Sequence, residues 1–216
     1  MDPSDLADLA DLTARARRLA LAGGRRILGI AGPPGAGKST LAKRLVDALG
    51  PLAVLVPMDG FHLAQAELER LGLAERKGAP DTFDAAGYAA LLRRLRAPEP
   101  GTVVYAPAFD RSLEQPVAGA VPVPPDVPLV VTEGNYLLYG EGAWAPVRGL
   151  LDEAWFLELD QDVRVRRLVD RHVRFGKQRA YAERWVAGSD EVNARLVAAG
   201  RDRADLVVRP GDGSRS

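Results

Sequence analysis

The hydrophobic positions of the chain form short apolar runs that alternate with segments of helical periodicity. Short apolar runs bounded by turn residues are typical of strands buried on both faces of a sheet. They occur at 27–31, 52–57, 102–106, 129–132, 154–159 and 204–208. Apolar stripes at intervals of three and four residues predict helices at 4–22, 41–49, 63–71, 85–95, 162–175, 181–186 and 191–199.

This alternation predicts a three-layer α/β fold, with a mostly parallel sheet covered by helices on both faces. Two helix starts have candidate N-caps: Asp84 before 85–95, and Ser189 or Asp190 before 191–199. The proline-rich piece 116–128 is expected to be a surface excursion or a short ribbon, because proline cannot donate a hydrogen bond within a sheet.

A glycine-rich loop, GPPGAGKST, lies between the first apolar run and the helix at 41–49. It matches G-x-x-x-x-G-K-[ST] at Gly32, Gly37, Lys38 and Ser39, the pattern of a phosphate-binding loop. In such a loop backbone N–H groups hold the phosphates, the lysine reaches the β- and γ-phosphates, and the hydroxyl binds Mg2+. The predicted nucleotide-binding residues are Gly32, Pro33, Pro34, Gly35, Ala36, Gly37, Lys38, Ser39 and Thr40.

Two other interpretations of this loop are weaker. An ordinary Gly/Pro connection is disfavoured because strand, loop and helix occur in the order that phosphate binding requires. A dinucleotide-binding turn would place Asp59 near the ribose. However, Gly32, Gly35 and Gly37 do not make G-x-G-x-x-G.

Acidic residues follow two of the apolar runs. Asp59 comes after 52–57 and Glu133 after 129–132, so both are expected at the carboxyl ends of strands, where ligands of open α/β sheets gather. Asp59 could accept a proton from an attacking hydroxyl or help to hold Mg2+, or it could cap the next helix. Glu133 is expected to organise Mg2+ together with Ser39. The sequence leaves open which carboxylate is the general base.

The helix at 162–175 carries four arginines on one face: Arg164, Arg167, Arg171 and Arg174. Such a stripe favours contact with phosphates, although a solvated basic face would look similar. We expect a helical lid at about 162–180 within a single domain of residues 1–216. The polar loop 76–84, which contains Lys77, suits either substrate binding or solvation. His62 fits a local hydrogen bond better than catalysis.

Composition restricts the classes of partner. The chain has 216 residues, zero formal net charge and a pI of about 6.8, so no general attraction to nucleic acid or membrane is expected. It has no cysteine, which excludes disulfides and thiolate chemistry. No apolar run could span a bilayer and the N-terminus does not resemble a signal peptide, so a cytoplasmic protein is expected. Because only four of its 29 basic residues are lysines, the presence of Lys38 within the glycine loop favours a specific role over chance.

Taken together, several segments resemble the P-loop kinase group that contains uridine kinase, phosphoribulokinase and bacterial pantothenate kinase. Within it the chain is most similar to the branch labelled nucleoside/nucleotide kinase-like or fructose transport system kinase. The matching segments are GPPGAGKST at 32–40, MDGFH at 58–62, RKGAPDTFD at 76–84, YAPAFDR at 105–111, EGNYLL at 133–138, RHVRFGK at 171–177 and GSDEVNA at 188–194.

The resemblance implies transfer of the γ-phosphoryl group of ATP, with Mg2+, to a hydroxyl of a small metabolite such as a nucleoside, a pantothenate-like acid or a sugar. It implies that Lys38, Asp59, Glu133, Arg167 and Arg171 are catalytic. The acceptor site would be formed by Asp59, His62, Lys77, Tyr105, Arg111 and Asn135. The segment MDGFH is closer to pantothenate kinases than to uridine kinases, which disfavours uridine.

Two alternatives stay open on the sequence: an ATPase or switch without a metabolite acceptor, and a nucleotide-binding regulatory module. A GTPase is disfavoured because no [NT]-K-x-D segment surrounds any lysine. A homodimer is possible, whereas nucleic-acid and membrane partners are not expected.

Overall fold

The computed structural model describes residues 8–209, and its strands and helices alternate as the sequence predicts. The strands are β1 (Arg26–Ala31), β2 (Ala53–Pro57), β3 (Val104–Asp110), β4 (Gln115–Val123), β5 (Leu129–Gly134), β6 (Glu153–Leu157) and β7 (Leu206–Val208). The helices are α1 (Leu9–Ala20), α2 (Lys38–Leu49), α3 (Gln65–Arg70), α4 (Ala85–Arg96), α5 (Val147–Leu150), α6 (Gln161–Arg174), α7 (Arg179–Trp185) and α8 (Glu191–Ala198).

Five strands form a parallel sheet in the order β2-β5-β1-β6-β7. Apolar side chains of its central strands alternate between two cores. On β1, Ile27 packs with α4 and α5 on one face, while Leu28 and Ile30 pack with α1 and α2 on the other. The predicted α/β fold with helices on both faces is therefore confirmed.

The run at 102–106 does not join this sheet. It begins β3, which pairs antiparallel with β4 in a separate two-stranded ribbon. The short ribbon predicted for the proline-rich piece is therefore confirmed, and it includes the preceding run. This ribbon packs on the turn Met58–Phe61 that follows β2.

The helix ends differ in part from expectation. Asp84 caps α4 as predicted, accepting a hydrogen bond from Gly87 N at 2.8 Å. The cap predicted at Ser189 or Asp190 is wrong, because a π-helical turn, Val186–Asp190, continues α7 into α8. The first residues of the helix predicted at 4–22 lie outside the described part of the chain.

The sheet topology places the ends of β1, β2 and β5 side by side. In the register of β2 and β5, Pro57 lies opposite Glu133, so the segments that follow these strands meet at one edge. Within residues 8–209, no helix has the length and apolar character needed to cross a membrane.

Candidate active site

The phosphate-binding loop predicted from the sequence connects β1 to α2. Its glycines have left-handed backbone angles, with φ of 82° at Gly35 and 97° at Gly37, which favour glycine over other residues. A Cβ atom on Gly35 would lie 2.7 Å from Cγ of Leu168, so α6 packs directly against the loop. Both backbone angle and packing therefore require glycine at position 35.

Lys38 begins α2 and is buried. Its Nζ donates hydrogen bonds to Pro33 O at 3.1 Å and to Asn135 Oδ1 at 2.7 Å. Burial lowers the Lys38 pKa to about 8, against the raising effect of the carboxylates of Glu133 and Asp59. The ammonium group is thus held by neutral oxygen atoms at the base of the loop.

Ser39 and Glu133 lie in direct contact. Ser39 Oγ donates a hydrogen bond to Glu133 Oε1 at 2.9 Å, and Glu133 is buried near the end of β5. Burial, followed by the nearby charge of Asp59, raises the Glu133 pKa to about 7. A hydroxyl and a carboxylate suit Mg2+, which proteins commonly bind through one or two carboxylates together with substrate phosphates.

Asp59 lies in the turn after β2, with a partly exposed carboxylate. Its Oδ2 is 4.0 Å from Arg111 Nη2, and its Oδ1 is 4.0 Å from His62 Nε2. The helix-cap interpretation of Asp59 is wrong, since α3 begins only at Gln65 and has no side-chain cap.

The arginines of α6 divide into two groups. Arg167, Arg171 and Arg174 line a cavity together with the phosphate-binding loop. Arg164 is buried instead, pairs with Glu191 and donates to Pro34 O at 3.3 Å. Three of the four arginines in the predicted basic stripe therefore face the phosphate-binding loop.

Two cavities meet above Lys38. The first, here called the loop-side cavity, measures about 1110 Å³ and extends from the phosphate-binding loop along α6. The second, the Asp59-side cavity, measures about 740 Å³ and lies between Asp59, the ribbon and α7. Six residues line both: Gly35, Lys38, Ser39, Arg111, Arg171 and Phe175.

Most of the predicted acceptor residues line the Asp59-side cavity: Asp59, His62, Lys77, Arg111 and Asn135. Tyr105 lines neither cavity. It is 58% exposed, because Val104 and Ala106 on either side of it in β3 turn into the core. The structure does not support Tyr105 as an acceptor-site residue.

His62 is held as a packed, neutral ring. It stacks on Phe83 with ring centres 3.9 Å apart, and its Nδ1 is buried without a hydrogen-bond partner in the described structure. Burial lowers the His62 pKa to about 4, with Asp59 opposing and Lys77 and Arg111 reinforcing the shift. Near neutral pH this ring is therefore uncharged.

Residues of α7 and α8 that the sequence analysis did not assign to the site complete the Asp59-side cavity. Tyr181 and Trp185 stack with ring centres 6.0 Å apart and form part of its wall. Asn193 is buried, lines the cavity, and makes no side-chain hydrogen bond to any residue within 8–209. The signal for Asn193 was a polar residue beside the buried positions Ala194 and Val197 of an apolar helix face.

Comparison with known proteins gives concordant matches. The model of the phosphoribulokinase/uridine kinase family matches residues 27–209. An ATP-dependent kinase-like protein of Aspergillus versicolor is 35% identical over 67% of this chain and 88% of its own length. A Schizosaccharomyces pombe protein with the provisional name uridine kinase is 33% identical over 80% of this chain and 77% of its own. A solved structure from a Silicibacter species, provisionally named a fructose transport system kinase, has 38% identity and a TM-score of 0.84, covering 93% of this chain and 98% of its own.

Proposed function

The chain belongs to the phosphoribulokinase/uridine kinase family, and on that premise we propose that it transfers the γ-phosphoryl group of ATP to a hydroxyl of a small metabolite. The observation that carries this proposal is the meeting of two cavities above Lys38, one along the phosphate-binding loop and one beside Asp59. A kinase needs two such substrate sites that share the point of transfer. Hydrolysis of ATP by water does not require the second.

At the nucleotide end, the loop 32–40 would bind the phosphates through its backbone N–H groups and the N-terminus of α2. Lys38 would exchange its contacts with Pro33 O and Asn135 Oδ1 for phosphate oxygens. Ser39 and Glu133 would hold Mg2+, which neutralises phosphate charge when bound. Arg167 and Arg171, on a lid that we place at about 162–180, would cover the phosphates from the other side.

At the acceptor end, the substrate hydroxyl would approach Asp59 through the Asp59-side cavity. The hydroxyl oxygen forms a bond to the γ-phosphorus while the bond from phosphorus to the β–γ bridging oxygen breaks, leaving ADP. The hydroxyl proton passes to the Asp59 carboxylate. Asp59 is the better base of the two carboxylates because it is partly exposed in the acceptor cavity, whereas Glu133 is buried against Ser39.

The walls of the Asp59-side cavity restrict the acceptor to a compact polar molecule. Asn193 offers a free amide, Lys77 an ammonium group, and Tyr181 with Trp185 an aromatic surface. These groups could orient a molecule with several oxygen atoms and some apolar surface. Nucleosides, sugars and hydroxy acids all meet this description.

A coupled assay of ADP release, with Mg2+ and ATP, tests the proposal against panels of these three classes of acceptor. We expect one class to raise ADP release far above the rate without acceptor, and the product to carry the phosphoryl group. Equal ADP release with and without every acceptor would support an ATPase instead. No ADP release at all would support a nucleotide-binding module.

A further inference from the structure

Two side chains at the boundary of the cavities have no role in the mechanism above. Arg111 follows β3 at the tip of the ribbon, and Phe175 follows the last residue of α6. Both line the loop-side cavity and the Asp59-side cavity. They approach the shared point from the ribbon and from the lid, which are distant in sequence.

The backbone at Arg111 is firmly positioned. Asp110 Oδ1 accepts hydrogen bonds from Ser112 N at 2.7 Å and from Leu113 N at 3.1 Å, which fixes the turn that contains Arg111. The ribbon also packs closely on the turn that carries Asp59, since a Cβ atom on Gly60 would lie 2.3 Å from Pro107 O. The positions of Arg111 and Asp59 are therefore linked through the backbone.

The guanidinium of Arg111 lies between a carboxylate and an aromatic ring. Its Nη2 is 4.0 Å from Asp59 Oδ2, and its Cζ is 6.0 Å from the centre of the Phe175 ring. The ring of Phe175 is more than half exposed, although phenylalanine usually gains from burial. Contact with a cation gives this exposed ring a function that packing alone does not.

Three cationic side chains converge at the boundary of the cavities: Lys38, Arg111 and Arg171. Arg111 acts electrostatically on both Glu133 and Arg171, so the charges belong to one cluster. The carboxylates of Asp59 and Glu133 oppose them there, and the carboxylate of Asp190 also acts on Arg171. Cations gathered in this way form a site that attracts a further anion, and the phosphoryl group in transfer is such an anion.

We propose that Arg111 is a catalytic residue, whose guanidinium stabilises the negative charge on the γ-phosphoryl group as it moves from ADP to the acceptor. Phe175 is a positioning residue that holds this guanidinium through its ring. The proposal rests on the proposed kinase function and adds a further cation, carried by the ribbon, to those of the loop and the lid. The sequence assigned Arg111 to acceptor binding alone.

The test uses MgADP alone and MgADP with aluminium fluoride, which mimics the phosphoryl group in transfer, so no acceptor has to be known. For the unmodified protein we expect fluoride to tighten MgADP binding strongly. For Arg111→Gln we expect the Kd for MgADP alone to stay within about two-fold of that of the unmodified protein. The tightening caused by fluoride should fall by about 100-fold, as for loss of one transition-state donor. Arg76→Gln is the matched control, because Arg76 is exposed, pairs with Asp81 and lines neither cavity.

Variants of Phe175 separate positioning from folding. Phe175→Leu keeps apolar bulk without the aromatic ring and should reduce the tightening of MgADP binding by fluoride about five-fold. Phe175→Trp keeps an aromatic ring and should retain the tightening. Unchanged tightening in Arg111→Gln, with MgADP still bound, overturns the catalytic role of Arg111 and leaves the kinase proposal standing. Failure of the unmodified protein to bind MgADP overturns the kinase proposal itself.

Discussion

Among the site residues, Lys38 is the one whose replacement should lower kcat strongly without changing the chemistry of the acceptor site. Its ammonium group is buried between Pro33 O and Asn135 Oδ1, at the point where we propose that phosphate oxygens bind. We expect Lys38→Ala to lower kcat by about 100- to 1000-fold, since a preorganised charge is lost at the site of transfer. Lys43→Ala is the control on the same helix, because Lys43 is exposed, pairs with Asp47 and lines neither cavity. Near-normal turnover by Lys38→Ala, measured as ADP release, would show that the loop has no role in catalysis.

Asp59 should affect the rate without affecting nucleotide binding. Asp59→Asn keeps the size of the side chain but removes the base, and we expect a loss of about 100- to 10,000-fold in kcat. The Kd for MgADP should change little, because Asp59 does not line the loop-side cavity. Asp81→Asn, which alters an exposed carboxylate paired with Arg76, should leave both quantities unchanged. An unchanged kcat in Asp59→Asn would transfer the role of base to Glu133.

His62 makes the fold sensitive to acid. Its pKa falls from 6.5 to about 4 on burial, so the unfolded chain binds the proton more tightly than the folded one. The free energy of unfolding should therefore decrease as the pH falls from 6.5 towards 4, by about 2 kcal/mol at pH 5 from this residue alone.

The variant His62→Phe isolates this effect. Phenylalanine keeps the stack on Phe83 and removes the buried, unpaired Nδ1 atom. Urea unfolding at pH 7.5 and at pH 5 should show a smaller loss of stability for His62→Phe than for the unmodified protein. Equal losses in the two proteins would mean that His62 is not the acid-sensitive group.

Individual residues differ in how well the sequence predicts them. Lys38, Ser39 and Glu133 follow from local order along the chain, because a strand, a tight loop and a helix leave their side chains few positions. The prediction for Tyr105 has no support in the structure, because the side of β3 on which it lies depends on which of its neighbours enter the core. The contact between Phe175 and Arg111 joins segments that meet only in the folded chain, so their spacing in the sequence carries no signal. Asn193 left only the weak signal of a polar residue on an apolar helix face.

At the scale of elements, helix periodicity was more informative than helix ends. All the predicted helices exist within the described residues, yet the break expected at Ser189 or Asp190 does not. Asp190 is turned instead towards His172, whose Nε2 lies 3.2 Å from Asp190 Oδ2. The carboxylate of Asp190 thus interacts with a residue of another helix, and it does not cap α8 as the sequence suggested.

The contact between α6 and α8 should be a major contributor to stability. Arg164 is buried, pairs with Glu191 at the start of α8 and reaches Pro34 O in the phosphate-binding loop. Arg164→Met should lower the free energy of unfolding by about 3 kcal/mol, because Glu191 is left largely buried without its partner. Replacing both residues by Met and Leu should recover much of that loss, as urea unfolding would show.

A pair of exposed residues provides the comparison for Arg164. Arg179, at the start of α7, pairs with Asp170 of α6 at 3.3 Å, and both side chains are largely in solvent. Arg179→Met should cost less than about 1 kcal/mol, as for most surface ion pairs. Similar losses for Arg164→Met and Arg179→Met would argue against a structural role for the buried pair.

For the whole molecule, the alternation of apolar runs and helices was sufficient to predict the fold class but not the membership of the sheet. Six runs were expected to form strands of the sheet, and one of them, at 102–106, belongs to the ribbon instead. Pro107 in β3 and Pro116 and Pro122 in β4 cannot donate hydrogen bonds, which suits these strands to a two-stranded ribbon. Strand order required the tertiary structure, because a parallel sheet allows several orders with the same alternation.

Nucleotide binding should stabilise the molecule as a whole, because the loop-side cavity is lined by α1, the phosphate-binding loop, α2, α6 and β7. A ligand that binds only the folded chain at 100 times its Kd adds about 2.7 kcal/mol to the free energy of unfolding. For a domain of this size that corresponds to a rise in Tm of about 5–10 °C. We expect this rise with MgADP in the unmodified protein and in Lys43→Ala, and a much smaller one in Lys38→Ala. Since Tm responds to binding and not to chemistry, an equal rise in Lys38→Ala would mean that MgADP binds away from the loop, and the assignment of the loop-side cavity would have to be withdrawn.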